Sequence, residues 1–155
     1  MLSTIEKVLI LKGVRIFAET PDEILADVAQ VLEEVEYNTG ETIFEKGELS
    51  DSMYIIIDGK VRVHDIENTL NYLREREVFG EMALLDPEAR VASVTAVEDT
   101  RLLRLDQEPF FELMQDRIEV ARGIIQVLTR YLRDRVKDLG EMRTRIEALE
   151  QLAGQ

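Results

Sequence analysis

Three periods of apolar recurrence run along this chain, and each change of period marks a change of element. At the start, Ile5, Val8 and Leu9 recur at helical spacing, with Lys12 on the same face. Ser3 or Thr4 stands ahead of Glu6 as a capping box, and Gly13 follows, so residues 3–12 predict a helix. Thr20-Pro21-Asp22-Glu23 predicts a second start, with Thr20 as cap and Pro21 at the first helical position. Its buried face is Ile24, Leu25, Val28, Ala29, Val31 and Leu32.

From about residue 35 the period falls to two. Strands are predicted at 35–38, 42–46, 53–58, 60–66, 69–74, 91–98 and 100–106. Met53 to Ile57 is apolar without interruption, which predicts a strand buried on both faces. Asp58-Gly59 carries the chemistry of a two-residue hairpin. At Gln107 helical spacing returns, with Pro109 in the first turn and Phe110, Phe111, Leu113 and Met114 available to cover the strands.

The third period is 3.5. Ile125, Leu128, Leu132, Leu139, Met142, Ile146 and Leu149 fall at alternating steps of three and four, with Arg135 the polar residue in that register. Such a seam predicts a coiled coil and a homodimer through the C-terminal helix. The alternative is that residues 120–139 cover their own strands and the rest frays. Gly140 weakens the helix by about 1 kcal/mol relative to Ala and marks a candidate hinge.

These elements divide the chain into N-terminal helices at 1–34, a β-barrel at 35–106 and C-terminal helices at 107–155. Many short strands bracketed by helices predict a mainly β fold, a double-stranded β-helix or jelly-roll barrel.

Composition narrows the function. The absence of cysteine excludes a disulfide framework and thiolate metal sites, and fits a cytoplasmic setting. One histidine, His64, excludes any site built on two imidazoles, so no metal is expected; at mid-strand it reads as a surface or half-buried residue. A net charge of −13 opposes nucleic-acid binding, so no DNA partner is expected. No run reaches the length of a membrane span. No nucleophile–base pair or Walker loop is present, so the chain is not expected to be an enzyme.

The candidate chemistry is concentrated in residues 79–94, Phe-Gly-Glu-Met-Ala-Leu-Leu-Asp-Pro-Glu-Ala-Arg-Val-Ala-Ser-Val. Gly80 permits a sharp turn or a close approach. Glu81 to Leu85 reads as one helical turn, stopped by Pro87. Arg90 offers a planar donor fork that fits phosphate. On this chemistry alone, a plain Glu81–Arg90 ion pair stays open.

The stretch resembles the phosphate-binding cassette of cyclic nucleotide-binding domains, whose pattern is F-G-E-(L/I)-A-L, a short spacer, then R-(A/S/T)-A-(S/T)-V. Glu41 to Gly47, Met53 to Ile56 and Gly59 to Val61 resemble that family's barrel repeats, and the likeness spans roughly residues 10–135. It implies a sensor domain of the catabolite-activator and protein-kinase-A regulatory-subunit type. It implies a site of Phe79, Gly80, Glu81, Met82, Ala83, Arg90, Val91 and Ala92. In it Glu81 takes the ribose 2′-hydroxyl, Arg90 takes the cyclic phosphate, and the amides of Ala83 and Val91 complete the cradle. The ligand is then a cyclic nucleotide, with no cofactor. Two positions depart: Ala89 stands where the family has Pro, and Val91 where it has Ala, Ser or Thr. Guanine-preferring members use a hydroxyl at that second position, so Val91 tilts the expectation to cAMP over cGMP. A Gly that the family carries before Phe79 is replaced by Glu75-Arg76-Glu77. The resemblance further implies that ligand binding moves the C-terminal helices, with Tyr131 as candidate base contact. No helix-turn-helix is legible after Leu139, so the output is expected elsewhere, in a longer protein or a partner. The competing expectation is a nucleotide-free relative of this fold used for assembly.

Overall fold

The computed structural model describes residues 1–154. The elements in order are α1 (Thr4–Lys12), a 3-10 turn (Arg15–Phe17), α2 (Asp22–Gln30), β1 (Glu33–Tyr37), β2 (Thr42–Phe44), β3 (Leu49–Ser50), β4 (Ser52–Asp58), β5 (Lys60–Asp65), β6 (Asn68–Arg74) and β7 (Val78–Phe79). There follow α3 (Glu81–Leu85), β8 (Glu88–Ala89), β9 (Ser93–Ala96), β10 (Thr100–Asp106), α4 (Gln107–Asp116) and α5 (Ile118–Ala153).

Strand pairing is nested. β1 pairs with β10, β2 with β9, β3 with β8, β4 with β7 and β5 with β6, all antiparallel. Cross-pairing of β10 with β4 and of β9 with β5 folds this ladder into two four-stranded sheets, β1-β10-β4-β7 and β2-β9-β5-β6. That is the jelly roll anticipated from many short strands between helices.

Alternation along β4 places its side chains in two cores. Met53, Ile55 and Ile57 face the helices, with Leu103, Leu105, Phe17, Leu25, Phe110, Val120 and Ile124. Tyr54 and Ile56 face the other sheet, with Phe44, Val61, Phe79, Val94 and Leu102. The first sheet is therefore covered on both sides, as its unbroken apolar run requires.

Three local expectations fail for physical reasons. Asp58-Gly59 is not a hairpin. β4 and β5 lie in different sheets, and Gly59, at φ 102°, turns the chain from one to the other. A Cβ there would stand 2.5 Å from Thr100 Oγ1, so the crossing requires glycine. Thr20 does not cap α2, which starts at Asp22 behind Pro21. Its hydroxyl is buried without a partner, and α5 crosses beside it at Gly123, where a Cβ would come within 3.0 Å. The predicted strand at 91–98 shrinks to Ser93–Ala96, because Val91 and Ala92 belong to the turn behind Arg90. The α1 capping box does form: Ser3 Oγ accepts from Glu6 N at 3.2 Å, and Glu6 Oε1 accepts from Ser3 N at 3.3 Å.

The C-terminal helices separate at Arg117, whose backbone leaves the helical region (φ −129°, ψ 79°) and whose side chain pairs with Asp27 at 3.0 Å. α5 then runs 36 residues without a break, Gly140 included. Its near part buries Val120, Gly123, Ile124 and Val127. From Tyr131 to Gly154 every residue is exposed.

Candidate functional site

Gly80 sets the local geometry. It sits at φ 83°, in the left-handed region, immediately ahead of α3. A Cβ there would stand 2.6 Å from Ser52 O and 2.8 Å from Arg90 Nη1. Glycine thus serves both the turn and the close approach of Arg90. The first intrahelical bond runs from Leu84 N to Gly80 O at 3.2 Å. The amides of Glu81, Met82 and Ala83 come before it and have no partner within the helix.

Arg90 arrives from the other side. Its backbone is pinned to the β2–β3 connection by Arg90 N to Glu48 O (2.8 Å) and Gly47 N to Arg90 O (2.8 Å). Its side chain is 8% exposed. Nη2 donates to Ser50 Oγ at 2.6 Å and to Ser52 O at 2.7 Å, and the guanidinium lies 4.1 Å from the centre of the Phe44 ring. Nε is buried with no partner. Burial pulls the guanidinium below its ordinary pKa, against the opposing fields of Tyr54, Asp51 and Glu48. The group stays charged nonetheless, as arginine does in proteins.

No carboxylate forms an ion pair with Arg90 among the described residues. The plain Glu81–Arg90 pair left open by the sequence is therefore not made. Instead Glu81 and Arg90 both line one cavity of about 420 Å³. Its walls include Phe79, Gly80, Met82, Ala83, Val91 and Ala92, so all eight residues expected from the sequence converge on it. That volume falls within the range of small-molecule sites. Arg90 is a buried charge held by neutral acceptors and an aromatic face, and burying a charge without an opposite one is costly.

Tyr131 is elsewhere. It does not line this cavity; its ring lies 5.8 Å from the Arg15 guanidinium and 4.7 Å from that of Arg135, in a separate cleft between the 3-10 turn and α5. The residues around Arg90 that sequence reading missed are Phe44, Ser50 and Ser52. The last two alternate around Asp51 on either side of a strand break, a pattern too short to signal a role. Asp86 and Glu88 also line the cavity and give its rim an acidic side.

The Glu75–Glu77 run forms the turn before β7. Arg76 there is left-handed at φ 72°, where the resemblance leads one to expect glycine, and its amide donates to Ile56 O at 2.8 Å. His64 is half-buried. Nδ1 lies 2.7 Å from Ile66 O and Nε2 2.8 Å from Thr95 Oγ1, as a structural histidine would. No described helix is long and apolar enough to cross a membrane.

Comparison with known proteins agrees with this geometry. The sequence profile described as "Cyclic nucleotide-binding domain" matches residues 34–117. A "CRP-like cAMP-activated global transcriptional regulator" of Mycobacterium tuberculosis is 30% identical over 138 residues, covering 86% of this chain and 62% of the relative. The "Cyclic AMP receptor protein" of Thermus thermophilus is 41% identical over 103 residues, covering 63% of this chain and 48% of the relative. This chain thus spans about half to three-fifths of the length of these curated relatives. Among solved structures, the N-terminal domain of a transcriptional regulator from Streptomyces coelicolor superposes with a TM-score of 0.78 at 30% identity, covering 84% of this chain and 94% of that one.

Proposed function

The chain belongs to the cyclic nucleotide-binding domain family, and on that footing we propose that the residue 79–94 cassette binds a cyclic nucleotide, cAMP in preference to cGMP. The observation that carries this is the buried Arg90, in one cavity with Glu81, neither of which forms an ion pair among the described residues. In this reading Arg90 grips the cyclic phosphate, and the amides of Ala83 and Val91 complete its cradle. Glu81 accepts from the ribose 2′-hydroxyl, and Gly80 lets the chain pass close to the sugar. Phe79, Met82 and Ala92 supply the walls. Val91 is 85% exposed at the cavity and carries no hydroxyl, which supports adenine over guanine. Two relatives are themselves named for cAMP. The site is one of binding, not catalysis, and its ligand is not a cofactor.

Ligand binding is proposed to shift the C-terminal helices. Gln107, the first residue of α4, donates from Nε2 to Leu84 O of α3 at 3.0 Å and from N to Asp51 O at 3.1 Å. Leu84 and Phe110 share one core. A change at α3 therefore reaches α4 through direct contacts, and the ligand's differential affinity for two arrangements supplies the driving force. Tyr131 would reach the base only after such a movement. The exposed seam of α5 supports a homodimer.

The expectation that the chain has no DNA partner rests on its charge and on the lack of a legible helix-turn-helix, and relatives named as transcriptional regulators lend it no support. The acidic rim of Asp86 and Glu88 favours the competing reading, an assembly domain without ligand. Calorimetry and thermal shift separate the two. cAMP should bind at micromolar concentration or tighter and raise the melting temperature, because a ligand of the folded state alone must stabilise it. Absence of heat and of any shift with cAMP and cGMP overturns the sensor reading.

A further inference from the structure

We infer that Ser50 is a positioning residue for Arg90: its hydroxyl aims the guanidinium at the cavity and, being neutral, leaves the charge free for an anion. This rests on the reading that the cassette binds a cyclic nucleotide, and it adds the residue that makes Arg90 ready for one.

A two-stranded ribbon brings the two residues together. β3 and β8 pair Leu49 with Ala89 and Ser50 with Glu88. The backbone bonds from Arg90 N to Glu48 O and from Gly47 N to Arg90 O continue that ladder to Arg90. Ser50 then lies a diagonal step from Arg90 across the ribbon, a separation that a long side chain can span. Arg90 spans it, with Nη2 at 2.6 Å from Ser50 Oγ.

The guanidinium has five N–H bonds to place. Nη2 uses both of its own, on Ser50 Oγ and on Ser52 O at 2.7 Å. Nε is buried without a partner. Nη1 stands against Gly80, 2.8 Å from where a Cβ would lie, at the turn that opens the cassette. With Nη2 anchored, Nη1 is the nitrogen left for a ligand. The hydroxyl of Ser52 is taken by Asp106 Oδ1 at 2.5 Å, so Ser52 serves Arg90 through its carbonyl. Ser50 is thus the one side chain hydrogen-bonded to Arg90 among the described residues.

A hydroxyl at this place matters because carboxylates stand close by in the chain. Asp51 follows Ser50, and Glu48 accepts from Arg90 N through its carbonyl. Neither carboxylate forms an ion pair with the guanidinium. A carboxylate at position 50 would cancel the charge and occupy donors that a phosphate needs. An apolar residue there would release Nη2 and leave the fork without a fixed direction. Serine holds the group still and cancels nothing.

Calorimetry with cAMP on the full chain tests this. Ser50→Ala should bind about tenfold more weakly, the size of one hydrogen bond to a charged group. Ser50→Cys, close in shape but a weak acceptor, should lose as much, and Ser50→Thr should bind within about threefold of the wild type. Ser50→Asp should fall about tenfold or more below Ser50→Ala, because its carboxylate takes the place of the phosphate. In an Arg90→Lys chain, which has no fork to aim, adding Ser50→Ala should cost less than about twofold. Urea midpoints without ligand identify any variant that does not fold, and Ser50→Cys against Ser50→Thr carries the comparison if Ser50→Ala is one. Wild-type affinity in Ser50→Ala or Ser50→Cys would overturn the inference. So would an equal loss in the Arg90→Lys chain, since the hydroxyl would then act other than through Arg90. Ser50→Asp binding as tightly as Ser50→Ala would overturn the role given to neutrality. A wild-type chain that binds neither cAMP nor cGMP overturns the cyclic-nucleotide reading itself, whereas a wild type that binds beside unaffected Ser50 variants overturns this inference alone.

Discussion

The cassette and the far part of α5 both present surface that their own chain does not complete, and they do so in opposite chemistry. The cassette offers a buried cation and free amides, held in place from several directions: Arg90 by β3, β4 and Phe44, and α3 by the turn at Gly80. The far part of α5 offers exposed hydrocarbon on one continuous helix, with the 3-10 turn beside it only at Tyr131. Recognition at the first depends on preorganised geometry, where small displacements are expensive. The pairing proposed for the second would depend on periodicity, which a helix supplies with no tertiary help. One region should therefore be sensitive to backbone changes and the other to charge placed on its stripe.

The largest expected effect lies at the stripe. Leu139→Glu with Ile146→Glu places uncompensated carboxylates in the seam, at about 3–5 kcal/mol for each buried charge. Sedimentation should show monomers at micromolar concentration, while cAMP affinity stays within about fivefold. If affinity collapses as well, the two regions are not separable. Next comes Arg90→Ala, which should weaken cAMP binding by about 2–5 kcal/mol in calorimetry, with the dimer intact. Third, Gly80→Ala forces a left-handed alanine against Ser52 O and Arg90. Urea unfolding should show a loss of about 1–3 kcal/mol, with affinity falling alongside. Gly140→Ala, at a glycine with open space around it, should instead stabilise by up to about 1 kcal/mol. Smallest is Val91→Thr, which restores a hydroxyl at the cavity and should move cAMP:cGMP selectivity towards cGMP by about 1 kcal/mol.

What the sequence revealed follows the same division. The stripe was legible because Leu132, Leu139 and Ile146 declare a period within the segment itself. Gly80, Glu81 and Arg90 were legible because the residues meeting in the cavity lie close together in sequence. Ser50, Ser52 and Phe44 were not, because they reach Arg90 from some forty positions away and follow no local pattern. β3, β7 and β8 have two residues each, too few to show alternation. Asp58-Gly59 misled because turn chemistry specifies a backbone angle, not which strand lies next door. Thr20 misled because capping signals are read locally, while α5 arrives from a hundred residues downstream.

Nested pairing also dictates an order of assembly. β5 and β6 are joined by a short turn and can zip as soon as both exist, whereas β1 must wait for β10. On a ribosome, Glu33 to Tyr37 would emerge with its edge open and stay so until Thr100 to Asp106 followed it out. Three glutamates in those five residues, Glu33, Glu34 and Glu36, keep that waiting edge charged. The acidity of the first strand thus serves the nascent chain as well as the finished one, as a guard against neighbours on the same message.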